Sequence, residues 1–203
     1  MDESRILLAL IQRNELIDNH SRRVSLLSTL IGQAMRLSDD ELRTLQLGAF
    51  LHDIGKLSIS QRVLEKPGPL DEQEFEQLKA HPLVGGNFVE ALGYPPNVVQ
   101  MIKYHHERLD GSGYPFGLKD KEIPLTSRII AVADVYEAMT AKRSYREAMT
   151  VQEAFAELSQ PNKYDQSVVH MLRTILGTID WPEFHGLTRQ SDLFILSSKN
   201  SDN

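Results

Sequence analysis

The sequence predicts an all-α protein, a bundle of about seven or eight helices, on three observations. Apolar residues recur at three- and four-residue intervals over most of the chain. A helix-start signature, in which Ser, Asp or Thr is followed three residues later by Glu, occurs at Ser38 with Glu41, Asp71 with Glu74 and Thr150 with Glu153. No alternating apolar and polar run of strand character interrupts them, and there is no internal repeat.

Taken in order, Ser4 to Ile11 has the pattern of a short apolar helix and Leu16 to Met35 that of a longer one. In the longer one Leu16, His20, Val24, Leu27 and Ile31 share a stripe, so His20 faces the same interior as the aliphatics. Ser38 caps the next helix, where Asp39 and Asp40 suit the positive end of the dipole. Leu42, Leu45, Ala49 and His52 continue at helical spacing, so this helix runs through Asp53 and Gly55 ends it. Ser58 to Leu70 reads as a connecting loop, marked by Lys66-Pro67-Gly68-Pro69. Asp71 starts a helix that reaches His81-Pro82, where the proline opens a further segment, Leu83 to Leu92, stopped by Gly93-Tyr94-Pro95-Pro96. Asn97 to His106 is helical in pattern and is followed by a glycine-rich loop, Arg108 to Gly117. Pro124 opens a strongly apolar helix, Ile129 to Ala133, into which Asp134 is set. Thr150 begins another helix, Tyr164 to Leu176 is the last, and Ser197 to Asn203 has the composition of a disordered tail.

Length and composition narrow the classes of function. The 203 residues suit a single domain that buries its own core, with 41% hydrophobic and 25% charged residues. Without cysteine there is no disulfide, thiolate metal site or cysteine nucleophile, so any metal sits among nitrogen and oxygen ligands. The formal charge of -6 argues against a nucleic-acid polymer as partner but leaves room for a small anionic ligand. The N-terminus lacks a basic secretion signal and no apolar run is long enough for a membrane span, so the expected location is the cytoplasm.

One constellation stands out from this frame. His20, His52-Asp53, His81, His105-His106 and Asp134 all fall at helix ends or on apolar stripes. Singly, His20 is more simply a satisfied core histidine and the His52-Asp53 pair is weak evidence. His81 reads equally as a boundary residue, and Asp134, after five apolar residues, does not read as a solvated face residue. Jointly they form a set of imidazoles and carboxylates suited to divalent metal, since a buried ionised Asp53 needs a strong compensating charge. Such mixed ligands suit iron, manganese, nickel or zinc better than magnesium.

These residues lie in longer motifs: His52-Asp53-x-Gly55-Lys56, Lys66-Pro67-Gly68, His81-Pro82, His105-His106-Glu107-Arg108-x-Asp110-Gly111-x-Gly113-Tyr114-Pro115, and Ala133-Asp134-x-Tyr136-x-Ala138-x-Thr140. Together they resemble the HD-GYP domains, a subgroup of the HD metal-dependent phosphohydrolases, over roughly Asn14 to Leu176. The resemblance implies an HD-domain-like helical bundle that hydrolyses cyclic di-GMP to pGpG and/or GMP. It divides the chain into an N-terminal helix or linker remnant (1–13), a catalytic domain (14–177) and a C-terminal extension and tail (178–203).

Carried over by position, His20, His52, Asp53 and Asp134 hold one ion, and Asp53 bridges to a second held by His81, His105 and His106. Lys56 falls near the scissile phosphate, Arg143 and Arg146 at positions that contact ligand phosphates, and Tyr114 beside the ligand. Members with three metals carry a glutamate where this chain has Leu16, so two divalent ions are expected, iron or manganese by resemblance, with nickel and zinc as other choices. Ser144 stands where a proline is common. The chemistry is consistent with these residue types: a water between two ions about 3.5–4 Å apart is acidified and attacks phosphorus in line, and no side-chain nucleophile is needed. The resemblance further implies GGDEF-domain proteins or a sensor or receiver domain as regulatory partners. Two other readings remain: a catalytically weak module that binds cyclic dinucleotides or proteins, and a hydrolase of a different cyclic dinucleotide.

Overall fold

The computed structural model of the chain describes residues 15–141 and 148–177, the side chains of residues 15–17 excepted. Among the described residues there are eight helices of two turns or more, one single-turn helix, two short 3-10 segments and no strand. The helices are α1 (Glu15–Ala34), α2 (Asp39–Leu51), α3 (Gln61–Leu64), α4 (Glu72–Lys79), α5 (His81–Ala91), α6 (Pro96–Tyr104), α7 (Leu125–Thr140), α8 (Val151–Leu158) and α9 (Gln166–Leu176). The 3-10 segments span Ile54–Ser58 and Asp120–Glu122.

All three sequence-predicted start signals are capping boxes with both hydrogen bonds formed, at Ser38 and Glu41, Asp71 and Glu74, and Thr150 and Glu153. Each satisfies two backbone donors that a helix start otherwise leaves open. The predicted stripe on α1 is equally clear: His20, Val24, Leu27 and Ile31 are all buried.

Helix ends differ from the sequence-based expectation by up to three residues, and the differences fall at the site. α2 stops at Leu51, with His52 as its C-cap and Asp53 at the N-cap of the 3-10 segment that follows, so the His-Asp pair sits on a break rather than inside a helix. α4 ends at Lys79 and His81 opens α5, whereas the expected helix continued to Pro82. The 58–70 connection, expected to be a plain loop, contains α3. α6 ends at Tyr104, with His105 as its C-cap.

Two apolar clusters form the interior. The larger joins α1, α2, α7, α8 and α9, with Met101 of α6, around Leu27, Ile31, Leu45, Ile129, Ile130, Tyr136 and Leu172. The smaller joins the end of α2, the first 3-10 segment, α5 and α6 through Leu51, Ile54, Val89, Val99 and Ile102. α2 belongs to both: Leu45 and Ala49 pack in the first and Leu51 in the second. His52 and Asp53 therefore emerge where the two clusters meet.

The second cluster closes on glycine. A Cβ at Gly55 would overlap the His81 carbonyl oxygen, and one at Gly85 would lie 2.8 Å from the Gly55 nitrogen, so the turn after Asp53 lies directly on the first turns of α5. This contact brings His81 beside Asp53. No helix among the described residues is long and apolar enough to cross a membrane.

Candidate metal centre

Three of the candidate ligands share one local device. His52 and His105 are the C-caps of α2 and α6, and His81 follows directly on the C-cap of α4. Each donates its Nδ1 hydrogen to the carbonyl three residues back: His52 to Ala49 at 2.7 Å, His81 to Leu78 at 2.6 Å and His105 to Ile102 at 2.8 Å. A carbonyl only accepts, so Nδ1 carries the proton and Nε2 presents a lone pair to the centre. The bond that caps the helix end thus also sets the tautomer required of a metal ligand.

Those lone pairs converge. Nε2 of His81 and Nε2 of His105 lie 3.3 Å apart, and both are acceptors in this tautomer. His52 Nε2 and Asp53 Oδ1 are buried without an aligned hydrogen bond. Two nitrogens bound at about 2.1 Å to one ion lie roughly 3.0–3.4 Å apart at ordinary coordination angles. Facing acceptors and orphaned buried polar atoms fit a cation at this place.

Asp53 faces both sides of the cluster through different oxygens. Its Oδ1 is 3.2 Å from His81 Nε2 and 3.9 Å from His105 Nε2, while Oδ2 is 3.4 Å from Nε2 of both His20 and His52. Asp134 Oδ1 lies 3.1 Å from His20 Nε2 and 3.8 Å from His52 Nε2, and its Oδ2 is 3.9 Å from His106 Nδ1. Two potential ion-holding groups follow, one of His20, His52 and Asp134, the other of Asp53, His81, His105 and His106.

Protonation in this arrangement favours ligation. Burial depresses His52, and burial assisted by the neighbouring His106 pushes His105 well below the usual histidine range; burial likewise outweighs Asp134 at His106. All three are held neutral at pH 7. Burial opposes the charge of Asp53, but Lys56, with His52 and His81, keeps it well below the usual carboxylate range. Burial opposes the charge of Asp134 as well, but the hydrogen bond with His20, together with the charges of His20, His52 and His106, keeps it well below the usual carboxylate range. The Lys56 ammonium lies 2.6 Å from Asp53 Oδ2 and remains partly exposed, at the boundary between the buried carboxylate and solvent.

Two further residues matter here: Glu137, which the sequence reading does not single out, and Glu107, which it places in a motif without a role. Glu137, 1% exposed, accepts from His20 Nδ1 and from Arg23 Nε at 2.6 Å. Burial pushes the His20 imidazole down, but Glu137 and Asp134 together raise it to about 9, and His20 and Arg23 in turn hold Glu137 at about 2 against its own burial. The signal was present in the spacing: Glu137 is three residues after Asp134 on a largely apolar helix, hence on the same face. Glu107 is the other. It is buried and accepts from Phe116 N at 2.7 Å and Leu118 N at 3.0 Å, across the glycine-rich loop.

Tyr114 of that loop stacks on His106, with ring centroids 4.7 Å apart and planes at 33°. Burial, with Asp134 adding to it, raises its phenol well above the usual range, so the hydroxyl stays protonated. The structure therefore brings His20, His52, Asp53, Lys56, His81, His105, His106, Tyr114 and Asp134 into one region. The two arginines singled out as phosphate contacts, Arg143 and Arg146, lie outside the described residues, as do residues 1–13 and 178–203.

Comparison with known proteins places these observations. A family model described as HD domain matches residues 6–168. A cyclic di-GMP phosphodiesterase of Thermotoga maritima is 42% identical over 143 residues, which cover 68% of this chain and 38% of the relative. A 3'3'-cGAMP-specific phosphodiesterase of Vibrio cholerae is 40% identical over 141 residues, covering 70% of this chain and 31% of the relative. The chain thus spans about a third of the length of these relatives. Among solved structures, an HDG"Y"P protein from Bdellovibrio bacteriovorus superimposes with a TM-score of 0.68 at 24% identity, over 81% of this chain and 53% of that one.

Proposed function

We propose, from the premise that this chain belongs to the HD domain family, that it is a metal-dependent phosphodiesterase that hydrolyses cyclic di-GMP to pGpG and/or GMP. The observation that carries the proposal is the division of Asp53, one oxygen towards His81 and His105 and the other towards His20 and His52. A carboxylate so divided suits a bridge between two cations. His20, His52, Asp53 and Asp134 would hold one divalent ion, and Asp53, His81, His105 and His106 a second. The preferred ions are iron or manganese, with nickel and zinc also compatible with the imidazole and carboxylate set. When bound, such a pair acidifies a shared water and offsets charge that develops on the phosphate.

The chain's own residues supply the rest. Lys56 sits 2.6 Å from Asp53 at the solvent edge, where its ammonium can turn to a phosphate oxygen of the substrate. Tyr114, protonated and stacked on His106, offers a ring face and a hydroxyl to a nucleotide. Arg143 and Arg146 are proposed as phosphate contacts on sequence grounds alone. A GGDEF-domain protein or a sensor or receiver domain is the proposed regulatory partner, and the cytoplasm the proposed location.

One observation favours a second reading. A relative 40% identical is specific for 3'3'-cGAMP, and the described site contains nothing that reads the second base. A module without turnover is less well supported, because all seven ligand positions are filled. The test is incubation of oxygen-free, metal-loaded protein with cyclic di-GMP and, separately, 3'3'-cGAMP, with chromatography of the products. Faster appearance of pGpG or GMP from cyclic di-GMP supports the proposal; faster opening of 3'3'-cGAMP selects the second reading; both dinucleotides left intact refutes both.

A further inference from the structure

We propose that Glu107 is a positioning residue: its carboxylate holds the Gly111–Gly117 loop in the shape that sets Tyr114 against His106, and thereby controls how a dinucleotide reaches the centre. The inference rests on the functional reading above and extends it to a residue with no ligand role.

Glu107 is 2% exposed and directly follows the ligand pair His105-His106. Its two carboxylate oxygens take two backbone donors from the far side of the loop, Oε1 from Phe116 N at 2.7 Å and Oε2 from Leu118 N at 3.0 Å. Both partners are N–H groups, so the position requires two acceptors. An ionised carboxylate has them, whereas an amide would turn its NH2 group towards one donor. Bonds from neutral donors to a dry carboxylate are stronger than neutral pairs, and leaving either N–H unpaired costs more than the bond contributes.

The rest of the loop makes Tyr114 depend on this clamp. Tyr114 N donates to the His106 carbonyl at 3.3 Å, and Gly111 N to the Arg108 carbonyl at 2.8 Å. Gly113 lies so close to the Glu107 Cα, the Arg108 nitrogen and the His106 oxygen that no Cβ fits there. Beyond the clamp, Asp120 N donates to the Leu109 carbonyl at 3.1 Å and closes the base of the loop. Between these fixed points the Tyr114 ring rests against His106, and Phe116 is left half exposed with its ring edge-on to Tyr104 at 5.5 Å.

The test compares Glu107→Gln with the wild-type holoprotein, using hydrogen exchange of residues 107–118, metal content, and steady-state kinetics on cyclic di-GMP and on bis(4-nitrophenyl) phosphate, a diester without bases. Expected are exchange at the Phe116 and Leu118 amides faster by about tenfold or more, metal content at the wild-type level, and a KM for cyclic di-GMP raised about tenfold with a much smaller change in kcat. Selectivity for the dinucleotide over the base-free diester falls by the same factor. Unchanged exchange, an unchanged KM, or loss of metal together with kcat on both substrates overturns the proposal. Glu107→Asp retains the charge with a shorter reach and carries the same measurements if the glutamine variant does not fold. If the wild-type protein opens no cyclic dinucleotide, the functional reading fails, and the exchange data alone decide whether Glu107 holds the loop.

Discussion

His20 shows how much of the site depends on residues that touch no substrate. Its Nε2 faces Asp134 and Asp53, while its Nδ1 is fixed by Glu137, itself held by Arg23. Carboxylates behind metal-ligating histidines typically contribute 10–100-fold in metal affinity, so Glu137→Ala is expected to weaken metal binding by about that factor, as read by competition with a chelator. The pair also has a defined pH signature in the metal-free protein. His20 is raised from 6.5 to about 9, so its contribution is complete below pH 6.5 and lost as pH rises through 9. Glu137 is lowered from 4.5 to about 2, so its contribution is present above pH 4.5 and lost as pH falls through 2. The destabilisation caused by Glu137→Gln in chelated protein should therefore be greatest between pH 4.5 and 6.5 and should shrink towards pH 9.5, which a series of thermal melts checks. The same reasoning predicts that metal uptake at pH 7.5 releases the His20 proton, measurable by calorimetry in buffers of different ionisation enthalpy. The seven candidate ligands that the fold brings together were legible in the sequence because each is a polar residue set in an apolar or helix-terminal context. Glu137 and the role of Glu107 were not, since a glutamate in a helix or loop shows no buried partner until the fold supplies it.

The helices matter to the site mainly at their ends. α2, α4 and α6 each deliver a histidine just as the chain leaves the helix, where an open carbonyl accepts the Nδ1 hydrogen. Capping boxes and stripes made the element order readable in advance. The exact ends were not readable, because the choice between continuing α2 through Asp53 and breaking at Leu51 is made by packing: the turn at Gly55 seats on α5 only if the helix has already ended. Gly55→Ala tests this contact. Its Cβ would meet the His81 carbonyl, a backbone atom that cannot rotate away, so the expected cost is about 1–3 kcal/mol in chemical denaturation, as for other overpacked sites. His81 should separate from Asp53 and metal content should fall; an alanine variant with wild-type stability and metal would contradict the packing argument.

For the whole molecule, the centre lies on the seam between two apolar clusters. α1 and α7 bring His20 and Asp134 from the larger cluster, and α5 and α6 bring His81 and His105 from the smaller. Metal ions held across the seam would tie the clusters together, so metal binding should raise the melting temperature by linkage, and chelation should lower it. Lys56 substitutions should leave most of that increment in place. The topology was legible as far as an all-helical bundle of about this size, but not as two clusters, because apolar periodicity shows which face of a helix is buried and not against which neighbour.

The measurement that bears most directly on this picture is metal stoichiometry in protein purified without oxygen, for the wild type and for Asp53→Ala in parallel, with phosphodiester hydrolysis assayed on the same samples. Two divalent ions per wild-type chain, with Asp53→Ala losing at least one ion together with hydrolysis, is the expected result. Equal metal content and equal hydrolysis in the two proteins would show that Asp53 does not bridge the centre.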